Sequence, residues 1–241
     1  MIKEIITNAT GKEMLQYLSS INEKIYEKVN YGNSDFVCDI ISKQITNIDY
    51  DLATNIHKRL CSDCKNLTNV DMTLVTSIES EAFYGCNNLT TASFGRINSM
   101  GSGVFEGCSK LKSFSHIPGS LSTLPSRTFF NCSELSNFSL FGISTIGTSA
   151  FSGCISIPKI EMSSVTSINS SAFNNCTGLV AVVIRKTDTV CALSNSNAFN
   201  GTPIAKGTGY IYVPDALVDQ YKSATNWSVY ANQIKPLSEY V

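Results

Sequence analysis

Apolar side chains return along this chain at fixed offsets from a cysteine. The cysteines are Cys64, Cys86, Cys108, Cys132, Cys154 and Cys176, separated by 22, 22, 24, 22 and 22 residues. Eight residues before them stand Ile56, Ile78, Met100, Leu124, Ile146 and Ile168. Three residues before them stand Phe83, Phe105, Phe129, Phe151 and Phe173, with Cys61 in the first copy and Phe199 before Thr202 in an irregular seventh. After the cysteine, apolar residues recur at plus three, six and eight, from Leu67, Val70 and Met72 to Leu179, Val182 and Ile184. The copy Leu111, Phe114, His116 is the polar exception. The last residues of each set alternate with period 2, which predicts a half-buried strand. Gly, Asn or Asp precedes every cysteine, as in Asp63, Gly85 and Asn131, and these types tolerate positive φ. From Cys86 on, Ser or Thr stands six residues before the cysteine, as in Ser80, Ser126 and Thr148, where it reads as an N-cap. Together they predict a short helical turn in each copy, closed at both ends.

A period of this length is the mark of a solenoid, in which each copy buries little alone and stacking closes a continuous core. The apolar spacing after the cysteine is the L-x-x-L-x-L strand signature of a leucine-rich repeat. The segments Val75-Thr-Ser-Ile-Glu-Ser-Glu-Ala-Phe-Tyr-Gly-Cys-Asn-Asn-Leu and Val165-Thr-Ser-Ile-Asn-Ser-Ser-Ala-Phe-Asn-Asn-Cys-Thr-Gly-Leu resemble BspA-type leucine-rich repeats, over roughly residues 45–241. The ending Tyr210-Ile-Tyr-Val-Pro-Asp-Ala-Leu-Val-Asp-Gln-Tyr-Lys is similar to that family's C-terminal closure. The resemblance implies an α/β repeat solenoid, a right-handed coil of about 22-residue units. For function it implies that members are commonly bacterial surface or secreted proteins that bind other macromolecules.

The two ends break the pattern. Thr10 and Glu13 form a capping box, and Met14, Leu18, Ile21, Ile25 and Val29 follow at helical spacing. A helix over about 11–30 and a shorter one over 35–44 are expected, making residues 1–44 a helical N-terminal cap or docking segment. Met14, Leu18, Ile21 and Ile25 also fit a short coiled-coil seam, so this helix is a candidate for docking or oligomerisation. Solenoid is expected over 45–208, and the last strand with a C-terminal cap over 209–241. An open solenoid end exposes core and strand edge, so Tyr210 to Val213, a short helix over 215–223, and Trp227, Tyr230, Ile234 and Leu237 are assigned to closing it.

Charged residues make up 15% of the chain and the net charge is −1, with no basic cluster, which argues against nucleic-acid binding. No apolar run is long enough to span a membrane. The opening Met1-Ile-Lys-Glu-Ile-Ile-Thr-Asn lacks a secretory h-region, a departure from the family's surface pattern. Nine cysteines invite a disulfide count, but a column repeated from coil to coil has parallel Cβ vectors, which disfavours the disulfide torsion. They read instead as small buried hydrophobes. Cys61-Ser-Asp-Cys64 is a weak metal or redox signal, because both cysteines fall in core columns. His57 and His116 have no nucleophile–acid partners at useful spacing. No catalytic residue, metal site or cofactor is expected.

The useful surface is then the outward side of the strands. Its candidate binding residues are Thr68, Asn69, Asp71, Thr90, Thr91, Ser93, Lys112, Ser113, Ser115, Ser136, Asn137, Ser139, Lys159 and Glu161. Pro158, Val180, Ala181 and Val183 complete its C-terminal end. The face is hydroxyl-rich, nearly uncharged and poor in the aromatic and Arg anchors that dominate protein interfaces. The sequence therefore predicts a non-enzymatic interaction or adhesion module for a protein or glycan partner, placed at the cell surface or outside the cell. The alternative is a structural or decoration component of a virion or surface appendage, anchored by the N-terminal helix.

Overall fold

The computed structural model describes residues 47–49, 55–118, 120–186 and 188–240. The helices expected over 11–30 and 35–44, with Met14, Leu18, Ile21 and Ile25, lie outside the described residues. Within them the chain is a repeat fold of parallel strands. Asn47–Asp49, Asn69–Met72, Thr91–Ile97 and Ser113–Pro118 pair in chain order as one sheet. Lys159–Met162, Ala181–Ile184, Tyr210–Val213 and Ile234–Pro236 form a second. Two-residue strands, from Asn55–Ile56 to Ala192–Leu193, line another side of the coils in sheets of three and four. Val70 lies opposite Ala92, and Ala92 opposite Phe114, so columns of the sequence become columns in space.

The core is a set of such columns. Phe83, Phe105, Phe129, Phe151, Phe173 and Phe199 stack ring on ring, with centroids 5.4, 5.7, 5.4, 5.5 and 5.4 Å apart. The cysteine column runs beside it and does more than fill space. Each thiol donates to the carbonyl three residues ahead of the previous coil's cysteine: Cys86 to Cys61, Cys108 to Phe83, Cys132 to Phe105, Cys154 to Phe129 and Cys176 to Phe151, at 2.9–3.1 Å. The expectation of plain hydrophobes is therefore incomplete, since the column needs a small side chain that can also donate. Thr202 keeps the donor in the seventh copy but turns it to Phe199 O of its own coil. The eight described cysteines are buried, and none of them forms a disulfide. Burial pushes the Cys176 thiol up to about 12 and holds Cys132 and Cys154 well above their ordinary range.

The turn before each cysteine differs from the expected helix. The residue just before the cysteine has positive φ from Asp63 to Gly201, as the sequence predicts. A second left-handed residue follows the Ser/Thr column directly: Arg59, Glu81, Gly103, Arg127, Ser149 and Ser171, with φ of 55–65°. That residue breaks the helix before it starts. Alternate N–H groups instead point along the stack, as in Arg59 to Ser80 O, Cys61 to Ala82 O and Asp63 to Tyr84 O. Those between them close local turns, as in Ser62 to Arg59 O. The donors a Ser cap would satisfy are thus taken by the next coil, and Ser80 Oγ accepts from Ser102 N across coils instead. Only the seventh copy forms a 3-10 helix, Ser196–Phe199, and its cap is Asn195.

The column before the cysteine reads Asp63, Gly85, Gly107, Asn131, Gly153, Asn175, Gly201. Every Asp or Asn is followed one coil later by Gly. A Cβ on Gly85, Gly153 or Gly201 would collide with the Oδ1 of Asp63, Asn131 or Asn175. A Cβ on Gly107 would meet only Gly85, at an ordinary contact distance of 3.6 Å from its Cα.

The C-terminal end closes on aromatic side chains. A 3-10 turn, Asp215–Leu217, runs into a helix, Val218–Ser223. Trp227 is 1% exposed and lies against Phe199 and Tyr221. Its Nε1 donates to Cys191 O at 2.6 Å, while Cys191 N donates to Tyr221 Oη at 2.8 Å. Both backbone groups of Cys191 are thereby satisfied by side chains of the cap, as buried peptide groups must be.

Candidate functional site

The outward sheet face is not one surface. In each strand approach, the residue four after the cysteine donates its N–H to the same position one coil earlier: Thr90 to Thr68 O, Lys112 to Thr90 O, Ser136 to Lys112 O and Val180 to Pro158 O, at 2.8–3.2 Å. At residue 158 the donor is missing, because proline has no N–H. The sheet stops there. Asn137 reaches the first sheet through a single bridge to Ser113, and Lys159–Met162 begins the second. The phenylalanine stack tilts at the same place, with 25° between Phe129 and Phe151 against 4–11° at the other four steps.

On the N-terminal side, the structure brings the expected residues together in two columns, Asn69–Thr91–Ser113 and Asp71–Ser93–Ser115. Several of their polar groups bond along the stack. Thr91 Oγ1 donates to Asn69 Oδ1, Thr90 Oγ1 to Thr68 O at 2.8 Å, and Asn137 Nδ2 to Ser113 Oγ at 3.4 Å. Lys112 pairs with Glu134 at 3.6 Å. Ser136 and Ser139 fall at the break outside both sheets, Asn137 has only its bridge to Ser113, and Phe141 beside them is 68% exposed. The expectation of one broad hydroxyl-rich face is corrected to a short polar face ending at a seam.

The C-terminal side carries different chemistry. Its columns are Lys159–Ala181–Tyr210 and Glu161–Val183–Tyr212–Lys235. Tyr210 and Tyr212 lie 6.2 Å apart, with Lys235 Nζ 5.8 Å from the Tyr210 ring. Val180 is 50% exposed at the rim of the same face. Val183, expected to face solvent, is fully buried. After the 3-10 turn Leu237–Glu239, Tyr240 turns back over the sheet. Its ring lies 4.9 Å from Tyr212, the Arg185 guanidinium sits 5.9 Å from its centroid, and Lys159 Nζ donates to its hydroxyl at 3.4 Å. Glu161 accepts from Lys159 at 3.0 Å and from Arg185 at 3.2 Å. These two bonds, Lys159 first, hold the Glu161 carboxyl below its ordinary range, while Glu161 and then Tyr240 hold Lys159 above its own. Lys235 pairs with Glu239 at 3.1 Å.

Sequence reasoning found Lys159 and Glu161 but missed Tyr210, Tyr212, Arg185, Lys235 and Tyr240. Tyr210 and Tyr212 were legible by register: they alternate in the last strand and continue the outward columns. Tyr240 was not, since nothing local aims it at the sheet. Cys61 and Cys64 are both buried, and among the described residues no group of three or more His, Cys, Asp or Glu could hold a metal ion. Among them, too, no helix is long and apolar enough to cross a membrane.

Comparison with known proteins gives a consistent picture. The chain matches the family described as the BspA type leucine rich repeat region in six copies, across residues 54–180 and 114–208. No curated protein matches it. A leucine-rich repeat protein from Eubacterium ventriosum is 24% identical, with a TM-score of 0.52, over 62% of this chain and 41% of that one. A leucine-rich repeat protein from T. pallidum is 30% identical, with a TM-score of 0.42, over 45% of this chain and 52% of that one. A leucine-rich cell surface protein from Faecalibacterium prausnitzii is 18% identical, with a TM-score of 0.31, over 79% and 59%. The present chain spans less than half the length of the Eubacterium protein, and the likeness to it is one of fold.

Proposed function

The chain belongs to the BspA-type leucine-rich-repeat family, and from that premise we propose that it is a non-enzymatic recognition module displayed outside the cytoplasm. It binds a macromolecular partner, protein or glycan, through the C-terminal half of its sheet face. The observation that carries this reading is the concentration of Tyr210, Tyr212, Lys159 and Lys235 on adjacent rungs of a parallel sheet, with Arg185 directly after the Ala181–Ile184 strand and bonded to Glu161. Tyr and Arg are enriched among interface hot spots, Tyr because it buries large area at low entropic cost while keeping a polar end, and Arg because its planar guanidinium makes several directed bonds at once. The N-terminal half, small and partly bonded along the stack, supplies a solvated flank.

The test compares full-length variants for binding to intact cells and to immobilised panels of extracellular proteins and glycans. Tyr210→Ser combined with Arg185→Ser is expected to lower retention at least about tenfold, as for removal of hot-spot side chains. Thr91→Ala combined with Ser93→Ala is expected to leave it within about twofold. Equal loss in both variants, or in neither, removes the C-terminal half as the contact surface.

A further inference from the structure

The segment Glu239–Tyr240 already occupies the candidate face, and the way it does so describes the partner. Glu239 and Tyr240 engage it in four separate ways. The ring lies on Tyr212, the guanidinium of Arg185 sits over it, the hydroxyl takes a hydrogen bond from Lys159, and the Glu239 carboxylate pairs with Lys235. Lys159 and Tyr212 stand on different strands of the second sheet, two rungs apart, so the tyrosine bridges across rungs. Beneath it the outward column contains Val183, an apolar residue where the neighbouring positions are Glu161 and Tyr212. A valine buried in this column, between Glu161 and Tyr212 and with Lys159, Arg185 and Lys235 around it, suits a tyrosine carrying an adjacent acid, and Glu239–Tyr240 supplies that pair.

We propose that the surface formed by Lys159, Val183, Arg185, Tyr212 and Lys235 is a docking site for an extended peptide segment of a partner protein bearing an acidic residue beside a tyrosine, and that Glu239–Tyr240 is its occupant in cis. The proposal rests on the reading of this face as the contact surface and narrows its partner to a peptide. A tethered segment competes at an effective concentration in the millimolar range, so the partner must outbid that segment or displace it.

The experiment uses the full chain and a synthetic probe, acetyl-Pro-Leu-Ser-Glu-Tyr-Val-amide, followed by backbone NMR. In Tyr240→Ala the probe is expected to shift the resonances of Lys159, Val183, Arg185 and Tyr212. Wild type is expected to require about tenfold more probe for the same shifts, because its own Glu239–Tyr240 competes. Tyr240→Phe, which keeps the ring and loses the hydroxyl bond, falls between them. A probe with alanine for tyrosine is expected to leave the resonances in place. The proposal is overturned if wild type and Tyr240→Ala respond alike, if neither responds, or if the alanine probe works equally well. Any of these outcomes, together with an intact effect of Tyr210→Ser and Arg185→Ser on cell or panel binding, would sink the peptide and spare the face.

Discussion

The two halves of the sheet face are built on one stack of coils yet present opposite chemistry. On the N-terminal sheet, Asn69, Thr91, Ser93 and Ser113 are small, and several bond to their neighbours along the stack. On the C-terminal sheet side, Tyr212, Lys159 and Arg185 are large and reach off the surface to hold Tyr240, with Tyr210 beside Tyr212. Between them stands Pro158, where one N–H is missing. A uniform core thus carries a non-uniform surface, because the inward columns are set by stacking while the outward ones answer only to solvent or a ligand.

The strongest way to break this contrast is through the core that the halves share. Phe151 stacks between Phe129 and Phe173 and also meets Phe138 at 5.0 Å. Phe151→Ala is expected to cost about 3–5 kcal/mol and to lower the Tm of a single transition. Two resolved transitions in calorimetry, one per sheet, would show instead that the seam divides the molecule.

The next effect is smaller and has an internal control. Gly107 and Gly153 share the same column and nearly the same φ, 76° and 79°. Alanine at either strains the backbone by about 1–2 kcal/mol. Only Gly153→Ala also meets Asn131, so its urea midpoint is expected to indicate a loss about 1 kcal/mol greater. Adding Asn131→Gly should cancel that excess, and failure of the double variant to recover it would mean the alternation of Asn and Gly has another cause.

Restoring the missing donor comes third. Pro158→Ala supplies an N–H for the Ser136 carbonyl by the pattern of Thr90, Lys112, Ser136 and Val180, a bond worth about 1 kcal/mol, offset in part by a freer unfolded chain. Slowed hydrogen exchange at residue 158 is the expected signature, and fast exchange there would place the cause of the seam elsewhere. A milder perturbation is acid. Glu161 has its carboxyl pKa lowered from an ordinary 4.5, so its hold on Lys159 and Arg185 is complete above that pH and is lost as pH falls through the lowered value. The Tyr240 ring resonances should move over that range, whereas Asn69 and Ser113 should not. The smallest expected signal is from thiol labelling. With Cys176 and Cys191 pushed up to about 12 by burial, these two thiols in native chain at pH 8 should react with iodoacetamide far more slowly than in unfolded chain.

The fold was legible because its determinants repeat. Six cysteines and their phenylalanines defined the period, the strand pattern gave the register, and the Gly/Asn column gave one left-handed residue per coil. The second such residue was hidden. Arg59, Glu81, Arg127 and Ser149 have no preference for positive φ, and they adopt it because the next coil's carbonyl rewards their N–H. The seam was written in a single residue, Pro158, whose meaning depended on knowing that this position donates across coils. The candidate site was half legible for the same reason. Tyr210 and Tyr212 follow from register, whereas Tyr240 acts through a chain reversal that no periodicity announces.

The alternation of Asn and Gly before the cysteines has a consequence for how such a chain can lengthen or shorten. It gives the coils a parity. Excising the single coil that contains Gly153 would set Asn175 directly over Asn131, side chain against side chain, whereas excising it together with its neighbour would return a Gly to that place. Copying the coil of Gly107, which sits on another Gly, carries no such conflict. Growth by duplication is therefore freest near the Gly85–Gly107 step and proceeds in pairs beyond it, so the history of the array should be readable in where its odd numbers fall.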